Sequence, residues 1–185
     1  MDDFTLTPWL VALALVAFPD AGADTEPGPR IAHAALAQVG VTTSYDPAYV
    51  KLRYPGGDVP LSTGVCTDVV IRALRAVGID LQREVYESRA GAPGRDRNID
   101  HRRVVNLMRW FEARRWGRPI TRDAANYLPG DVVAWKLPNG RLHVGIVVSA
   151  FEGKSEPTVV HNIAEGAQNE AVLFAWKVIG HYRAR

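Results

Sequence analysis

The sequence predicts an α+β fold in which helices come first and an antiparallel sheet of four or more strands follows. Between residues 30 and 116 the apolar residues recur with helical spacing, whereas after Gly130 they alternate with a period of two. Pro138-Asn139-Gly140 is a hairpin signal between two of the strand-like runs. Helices followed by consecutive strands favour an antiparallel sheet that packs on its helices.

Four helices are predicted before the sheet, and each has its own start or stop signal. Gly78 ends the second helix, and Asp100 is placed to cap the fourth. Residues 41–60 are rich in loop formers, and residues 91–97 are a candidate mobile loop. The predicted helices are Arg30–Val39, Cys66–Val77, Leu81–Ala90 and His101–Trp116.

Four strands are predicted after residue 129, because β-branched and aromatic residues are concentrated there and alternate with smaller or polar ones. Asp131 follows a glycine and is expected to fix the turn that leads into the first strand. The predicted strands are Gly130–Lys136, Arg141–Ala150, Pro157–Ile163 and Ala171–Tyr182.

The first 23 residues are predicted to be a signal peptide. Their apolar run, residues 9–18, is too short to span a bilayer, and Ala21-Gly22-Ala23 has the small-x-small pattern of a cleavage site. Asp2 and Asp3 stand where such leaders carry basic residues, so a helix of the folded domain is the alternative. Residues 24–29 are a predicted linker and residues 30–185 a single domain, exported to the periplasm or cell envelope.

Composition excludes several classes of function. The chain of 185 residues is 47% hydrophobic and 23% charged, as is usual for a globular domain with one core. Its net charge of +2 becomes +5 without the leader, which suits an anionic envelope polymer. The arginines are diffuse and form no nucleic-acid-binding module. The sequence predicts a monomer with no cofactor, no metal site and no stable membrane insertion.

The single cysteine, Cys66, lies where the second helix is predicted to begin, directly after Gly64 and Val65. Unpaired N–H groups and the positive end of the helix dipole favour the thiolate there, so we expect a lowered thiol pKa and a usable nucleophile. An odd cysteine in an exported protein indicates a reactive thiol or an intermolecular bridge. A buried, inert core cysteine is the alternative.

A cysteine nucleophile needs a base, and the predicted strands offer one. His143 shares a strand face with Gly145, whose missing side chain leaves room for a neighbour to approach. His161 and Asn162 lie on the next strand and point to opposite faces, so only one of them can orient His143. The periodicity does not choose between them. A structural role for the histidines, or a metal site with Cys66, is the alternative.

These motifs, in this order, resemble a known family. A cysteine at a helix start, then GDVVAW, HVGIV and a His-bearing strand resemble the NlpC family of papain-like cell-wall peptidases. More closely, the runs YPGGDVP, GVCTDVVIRALRAVGIDLQ, NIDHRRVVNL and GHYR resemble the bacterial domain-of-unknown-function family 1287 within the NlpC-like superfamily. The resemblance implies a papain-like fold with an inserted helical segment near residues 81–122.

The resemblance also implies an activity. Cys66 would be the nucleophile, His143 the base and His161 the orienting residue of an exported cysteine peptidase or amidase. That enzyme would hydrolyse an amide bond in the stem peptides of peptidoglycan. One departure counts against it: Asp68 follows the cysteine, whereas the family motif Asp-Cys-Ser-Gly places its carboxylate before the cysteine. A nearby carboxylate raises a thiol pKa.

Two alternative functions, and several candidate substrate-binding residues, are also consistent with the sequence. The same fold could bind envelope material without turnover, or act as a thiol acyltransferase or amidase on another substrate. Residues near the predicted cleft are candidates for substrate binding, and Arg102 or Arg103 is suited to a substrate carboxylate, with a solvated basic helix start as the alternative. The candidates are Tyr54, Asp58, Thr67, Asp68, Arg102 and Asn162.

Overall fold

Helices precede a five-stranded antiparallel sheet, as the sequence predicts. The structure is a computed structural model that describes residues 26–150 and 156–185, so the predicted signal peptide and the start of the linker lie outside the described residues. The helices are α1 (Pro27–Leu36), α2 (Cys66–Arg75), α3 (Leu81–Ser88) and α4 (Val104–Ala113), with 3-10 turns at Asp100–Arg102 and Ala124–Asn126. None of the described helices is long and apolar enough to cross a membrane.

Seven strands are present in the described residues. β1 (Ser44–Tyr45) and β2 (Thr63–Gly64) form a short parallel pair beside the main sheet. The main sheet has the spatial order β6-β5-β4-β3-β7, and all its neighbours are antiparallel. Its strands are β3 (Val132–Lys136), β4 (Leu142–Val147), β5 (Val159–Asn162), β6 (Ala167–Glu170) and β7 (Lys177–Tyr182).

Three predicted elements are corrected. The first helix begins at Pro27, inside the predicted linker, because proline is favoured in the first turn of a helix. The fourth helix begins at Val104, because Arg103 has an extended backbone (φ −110°, ψ 118°) and residues 100–102 form a 3-10 turn. The last strand begins at Lys177, and the segment before it packs on the back of the sheet, where the Leu173 carbonyl accepts a hydrogen bond from Trp135. The polar run 167–170 forms β6, which alternation does not signal because three of its four residues are exposed.

The sheet has two differently packed faces. Its helix face packs α2 and α4 through residues that include Val132, Ala134, Val144 and Ile146. Its back face, one residue out of phase, carries a smaller apolar cluster of Tyr127, Val133, Trp135, Val147, Val159 and Leu173. Because side chains alternate along a strand, each residue of β4 belongs to one of these faces.

Strands β4 and β5 separate at one end, and this separation positions the N-terminus of α2. Their ladder pairs Ile146 with Val160 and Val147 with Val159, and it does not continue to the start of β4. Asn162, at the end of β5, donates from its side-chain amide to the Gly64 carbonyl at 3.0 Å. The residue that precedes α2 by two positions is therefore attached to β5, and α2 begins at the gap between the strands.

His101 is a buried histidine outside the sheet, in the 3-10 turn before α4. Its Nδ1 is buried and has no hydrogen-bond partner among the described residues. Burial lowers its pKa from 6.5 to about 4, with Arg102 and Arg75 acting in the same direction and Asp68 opposing them. A group whose folded-state pKa is depressed contributes stability above its unfolded pKa and loses it as the pH falls.

We therefore expect His101→Gln to reduce the loss of stability on acidification. Between pH 6.5 and about pH 4.5, His101 becomes protonated in the unfolded chain but stays neutral in the folded one. This difference lowers the free energy of unfolding by about 2 kcal/mol. The variant should lack this part of the decrease, as measured from urea unfolding at pH 7 and at about pH 4.5. Replacing the exposed His33 by Gln is the matched control. Equal decreases in all three proteins would contradict the prediction.

Candidate active site

Cys66 is the first residue of α2, as predicted, and Asp68 holds the turn in which it lies. Val65 has an extended backbone (φ −119°), and its N–H donates to Asp68 Oδ2 at 2.7 Å, so Asp68 caps the helix from its third position. The N–H groups of Cys66 and Thr67 face the sulfur, and so does the N–H of Val144 on β4. The sulfur therefore lies beside the peptide bond that links His143 to Val144.

The thiol pKa is raised, not lowered, which corrects the prediction from the helix start. Burial raises the pKa of Cys66 to about 11, since the residue is 6% exposed, and the Asp68 carboxylate acts in the same direction. The three N–H groups favour the thiolate but do not outweigh desolvation. Without a bound substrate, Cys66 is therefore a neutral thiol at physiological pH.

His143 and His161 form a hydrogen-bonded pair across β4 and β5. His143 Nε2 and His161 Nδ1 are 3.0 Å apart, and both rings are buried. Gly145 permits this approach, as the sequence suggests: a Cβ there would lie 3.1 Å from His161 Cβ and 2.8 Å from Val159 Cγ1. Of the two residues that could orient His143, the structure brings His161 to it.

Glu170 extends the pair to a third side chain. Its Oε2 lies 2.9 Å from His161 Nε2, within ion-pair distance but off the line of an ideal N–H bond. With the His161 proton on Nε2 toward this carboxylate, Nδ1 accepts from His143 Nε2–H. The lone pair of His143 then lies on Nδ1, the nitrogen that His161 does not engage. Glu170 thus favours the tautomer in which His143 can act as a base.

Aromatic rings shield the histidine pair. The Trp135 ring stacks on His143 at 5.7 Å, and the Trp176 ring meets His143 and His161 edge-on at 5.6 and 5.8 Å. Burial, with a smaller contribution from His161, lowers the pKa of His143 to about 3. Burial also lowers the pKa of His161, and Glu170 opposes that shift. Both rings are therefore neutral at physiological pH.

The three predicted catalytic residues lie in one neighbourhood, but they are not all joined. Alternation along β4 sends Val144 to the helix face and His143 to the back face with Trp135. No hydrogen bond connects the Cys66 sulfur to an imidazole among the described residues. The contact between the sulfur and this strand is with the N–H of Val144, directly after His143. Catalytic hydrogen bonds are often long in unliganded sites.

A cleft of about 330 Å³ opens beside Cys66. Its wall is mainly apolar, and Arg103 is an exposed cation on it with no ion pair to a described residue. The residues that line it are Tyr45, Pro47, Val65, Cys66, Ile99, Arg102, Arg103, Val104, Val105 and Leu142. The sequence indicated Cys66 and the arginines, but it gave no signal for Tyr45, Ile99 or Leu142, which come from three separate segments.

Three of the predicted substrate-binding residues hold α2 in place, and one of them, Arg102, also lines the cleft. Arg102 donates to Asp68 Oδ1 at 3.0 Å and to Oδ2 at 2.9 Å, with both side chains almost fully buried. The Thr67 hydroxyl donates to the Arg102 carbonyl at 3.1 Å. Because Asp68 neutralises Arg102, the guanidinium on the cleft wall that has no ion pair to a described residue is that of Arg103.

The other three candidates are also engaged elsewhere. The Tyr54 hydroxyl donates to Glu87, and its ring meets Tyr86 edge-on at 5.4 Å, away from the residues that line the cleft. Asp58 pairs with Arg72 at 3.0 Å and with Arg75 at 2.9 Å. Asn162 donates to Gly64 and Ser44, and its Oδ1 is buried with no hydrogen-bond partner in the described part of the chain. These residues support the loops that precede α2.

Comparison with known proteins agrees with this architecture. The family model described as "Domain of unknown function (DUF1287)" matches residues 32–184. "Uncharacterized protein YijF" of Escherichia coli (strain K12) is 50% identical to the chain over 163 residues, which are 83% of this chain and 80% of that protein. The predicted family is thus confirmed.

Two solved structures are similar to the chain. NlpC2 from Trichomonas vaginalis has a TM-score of 0.50 and 16% identity over 86% of this chain. NlpC1 from the same organism has a TM-score of 0.48 and 16% identity over 86% of this chain. The chain spans less than half the length of these proteins, 46% and 44% respectively. The likeness to NlpC2 confirms the predicted NlpC-type, papain-like fold.

The burial of Cys66 leads to a prediction about its reactivity. Iodoacetamide should alkylate the native protein slowly between about pH 5 and pH 8, and the rate should rise toward pH 11, because the thiolate is the reactive form. Mass spectrometry after short exposures gives the rate, with urea-unfolded protein as the reference for an unshielded thiol. Rapid labelling at about pH 5 that disappears in His143→Ala would contradict the prediction and indicate a thiolate–imidazolium pair.

Proposed function

This chain belongs to the family described as Domain of unknown function (DUF1287), and we propose that it is a cysteine hydrolase that cleaves an amide bond at Cys66. The observation that carries the proposal is the position of the sulfur at the start of α2. It lies beside the N–H that follows His143, whose ring is 3.0 Å from His161 and, through it, connected to Glu170. A nucleophile, a base and an orienting chain are the parts that covalent amide hydrolysis requires.

In the proposed reaction, the Cys66 sulfur attacks the amide carbonyl carbon and His143 Nδ1 accepts the thiol proton. The tetrahedral oxyanion is stabilised by N–H groups at the start of α2, with Cys66 N–H as the first donor. His143 then returns the proton to the leaving amine, and a thioester remains. Water, deprotonated by His143, hydrolyses the thioester and regenerates the thiol.

In the empty cleft, the Cys66 thiol and the His143 imidazole are both neutral, so the proton transfer between them has to be driven by substrate binding. Burial disfavours both the thiolate and the imidazolium, so proton transfer is unfavourable in the empty cleft. Transfer that is concerted with attack avoids a free buried thiolate, since the negative charge develops on the oxyanion, where the N–H groups at the start of α2 stabilise it. The His161–Glu170 contact then stabilises the imidazolium that forms on His143.

The proposed substrate is a stem peptide of peptidoglycan, and the proposed location is the periplasm or cell envelope. The NlpC-type fold, the apolar cleft of about 330 Å³ and the cation of Arg103 on its wall support a peptide that carries a carboxylate. The net charge of +2 supports an anionic envelope polymer as its surroundings.

A non-catalytic envelope-binding role is the second candidate, because the raised thiol pKa and the missing sulfur–imidazole hydrogen bond favour it. It predicts that the protein binds purified cell wall, releases no fragments, and binds equally well after Cys66→Ala.

Hydrolysis tests the first proposal directly. Purified muropeptides incubated with the protein should release fragments with new free amines, detected by mass spectrometry. Cys66→Ser and His143→Ala should lower the rate by at least about 1,000-fold, because each removes a group that acts on the reacting atoms. The control is His33→Gln, on the exposed side of α1. Full activity of folded Cys66→Ser protein would overturn the assignment.

Replacing Glu170 tests its role as a positioning residue. Glu170 raises the pKa of His161, so Glu170→Gln should move the acid limb of kcat/KM to lower pH while it keeps an acceptor for His161 Nε2–H. Glu170→Ala, which removes the acceptor as well, should also lower kcat by about tenfold. The exposed Glu165→Gln is the control. An unchanged pH profile in both Glu170 variants would exclude the role.

A further inference from the structure

A second and larger cavity lies on the other side of the histidine pair. It has a volume of about 710 Å³, more than twice that of the cleft beside Cys66. Residues at the ends of β3 and β7, and from the loop before β3, line it. We call it the back groove, and the residues that matter here are Ile120, Arg122, Lys136, Phe174, Trp176 and Lys177.

The rim of the back groove is positively charged. Arg122, Lys136 and Lys177 are exposed, and none of them forms an ion pair or a side-chain hydrogen bond with a described residue. The buried Arg102, by contrast, is paired with Asp68. Three unpaired cations around one cavity create a positive field that attracts anions.

The floor of the back groove is apolar. Ile120, Phe174 and Trp176 contribute it, and no glycine is among the lining residues. Phosphate sites typically use glycine-rich backbone or a helix N-terminus, and the lining residues supply neither. Side-chain cations above an aromatic floor suit carboxylates whose aliphatic parts pack on the ring.

The back groove is connected to the candidate active site in two ways. The Trp176 ring that forms its floor also meets His143 and His161 at 5.6 and 5.8 Å. Lys136 on its rim is the cross-strand partner of Leu142, which lines the cleft beside Cys66. Each cavity is thus lined by one residue of the Lys136–Leu142 pair at the β3–β4 end of the sheet.

We propose that the back groove binds an acidic, carboxylate-bearing peptide segment of the substrate. The proposal rests on the proposed hydrolase function, since it assigns the groove to the same substrate as the cleft. Its carboxylates lie against Lys136, Lys177 and Arg122, and its aliphatic atoms lie on Trp176. The groove selects peptides that carry negative charge on one side of the scissile bond.

Binding to protein that cannot turn over tests this proposal separately from catalysis. Full-length Cys66→Ala protein is titrated into fluorescein-labelled (Glu-Ala)₃ and, as a neutral control, (Gln-Ala)₃, and anisotropy is recorded. The acidic peptide should bind more tightly, and its affinity should fall with added salt because exposed charges are screened. Adding Lys136→Gln and Lys177→Gln should weaken binding by about fivefold, the sum of two exposed ion contacts.

Lys51→Gln is the matched control, because Lys51 is an exposed lysine that does not line the groove. Equal binding by the double lysine variant and the parent, or equal weakening by Lys51→Gln, overturns the proposal. Displacement by inorganic polyphosphate at lower concentration than by unlabelled (Glu-Ala)₃ also overturns it, in favour of a phosphate polymer. These binding measurements use a protein that cannot hydrolyse its substrate. A failure of the proposed hydrolase activity can therefore be told apart from a failure of peptide binding in the back groove.

Discussion

The buried ion pair between Asp68 and Arg102 is the interaction on which the site depends. Both side chains are almost completely shielded, and the guanidinium binds both carboxylate oxygens. Its remaining N–H groups donate to the carbonyls of Ala48 and Asp46, at 3.2 and 3.3 Å. Removing one partner of such a pair leaves an uncompensated buried charge, which typically costs about 3–5 kcal/mol. The pair therefore ties the start of α2, the loop at residues 46–48 and the turn before α4 together.

This ion pair accounts for the residue order around the cysteine. In the NlpC motif that this sequence resembles, a carboxylate precedes the sulfur, whereas here Asp68 follows it and is both helix cap and ion-pair partner. The arrangement has an electrostatic consequence, because Asp68 raises the pKa of the Cys66 thiol in addition to the effect of burial. Arg102 offsets part of that charge. The position of Asp68 thus stabilises the turn at the expense of thiolate formation.

The sequence predicts the main elements of the fold but not all of the site. The helical spacing around Val69 and Leu74 and the alternation in β4 are imposed by burial on one face, so period alone reveals them. β6 has a single neighbour and mostly exposed side chains, and for that reason neither it nor Glu170 could be found from the pattern. The sequence also does not predict where Tyr54 and Asp58 lie, and neither residue lines the cleft beside Cys66. Closeness in sequence to Cys66 does not fix where a loop of 20 residues folds, and their partners on α2 and α3 decide it.

Because of the gap between β4 and β5, the Cys66 sulfur also serves as the acceptor for a backbone N–H that has no partner in the sheet. The ladder ends at Ile146 and Val160, so the N–H of Val144 has no partner on β5. A buried backbone donor without an acceptor is costly, and the Cys66 sulfur lies where that donor points. The same gap lets His161 approach His143 over Gly145. If the β4–β5 pairing continued for two more residues, β5 would occupy the position of the sulfur beside Val144 and keep it away from the histidines. The separation of the two strands is therefore the structural condition for placing the Cys66 sulfur beside the main chain that follows His143.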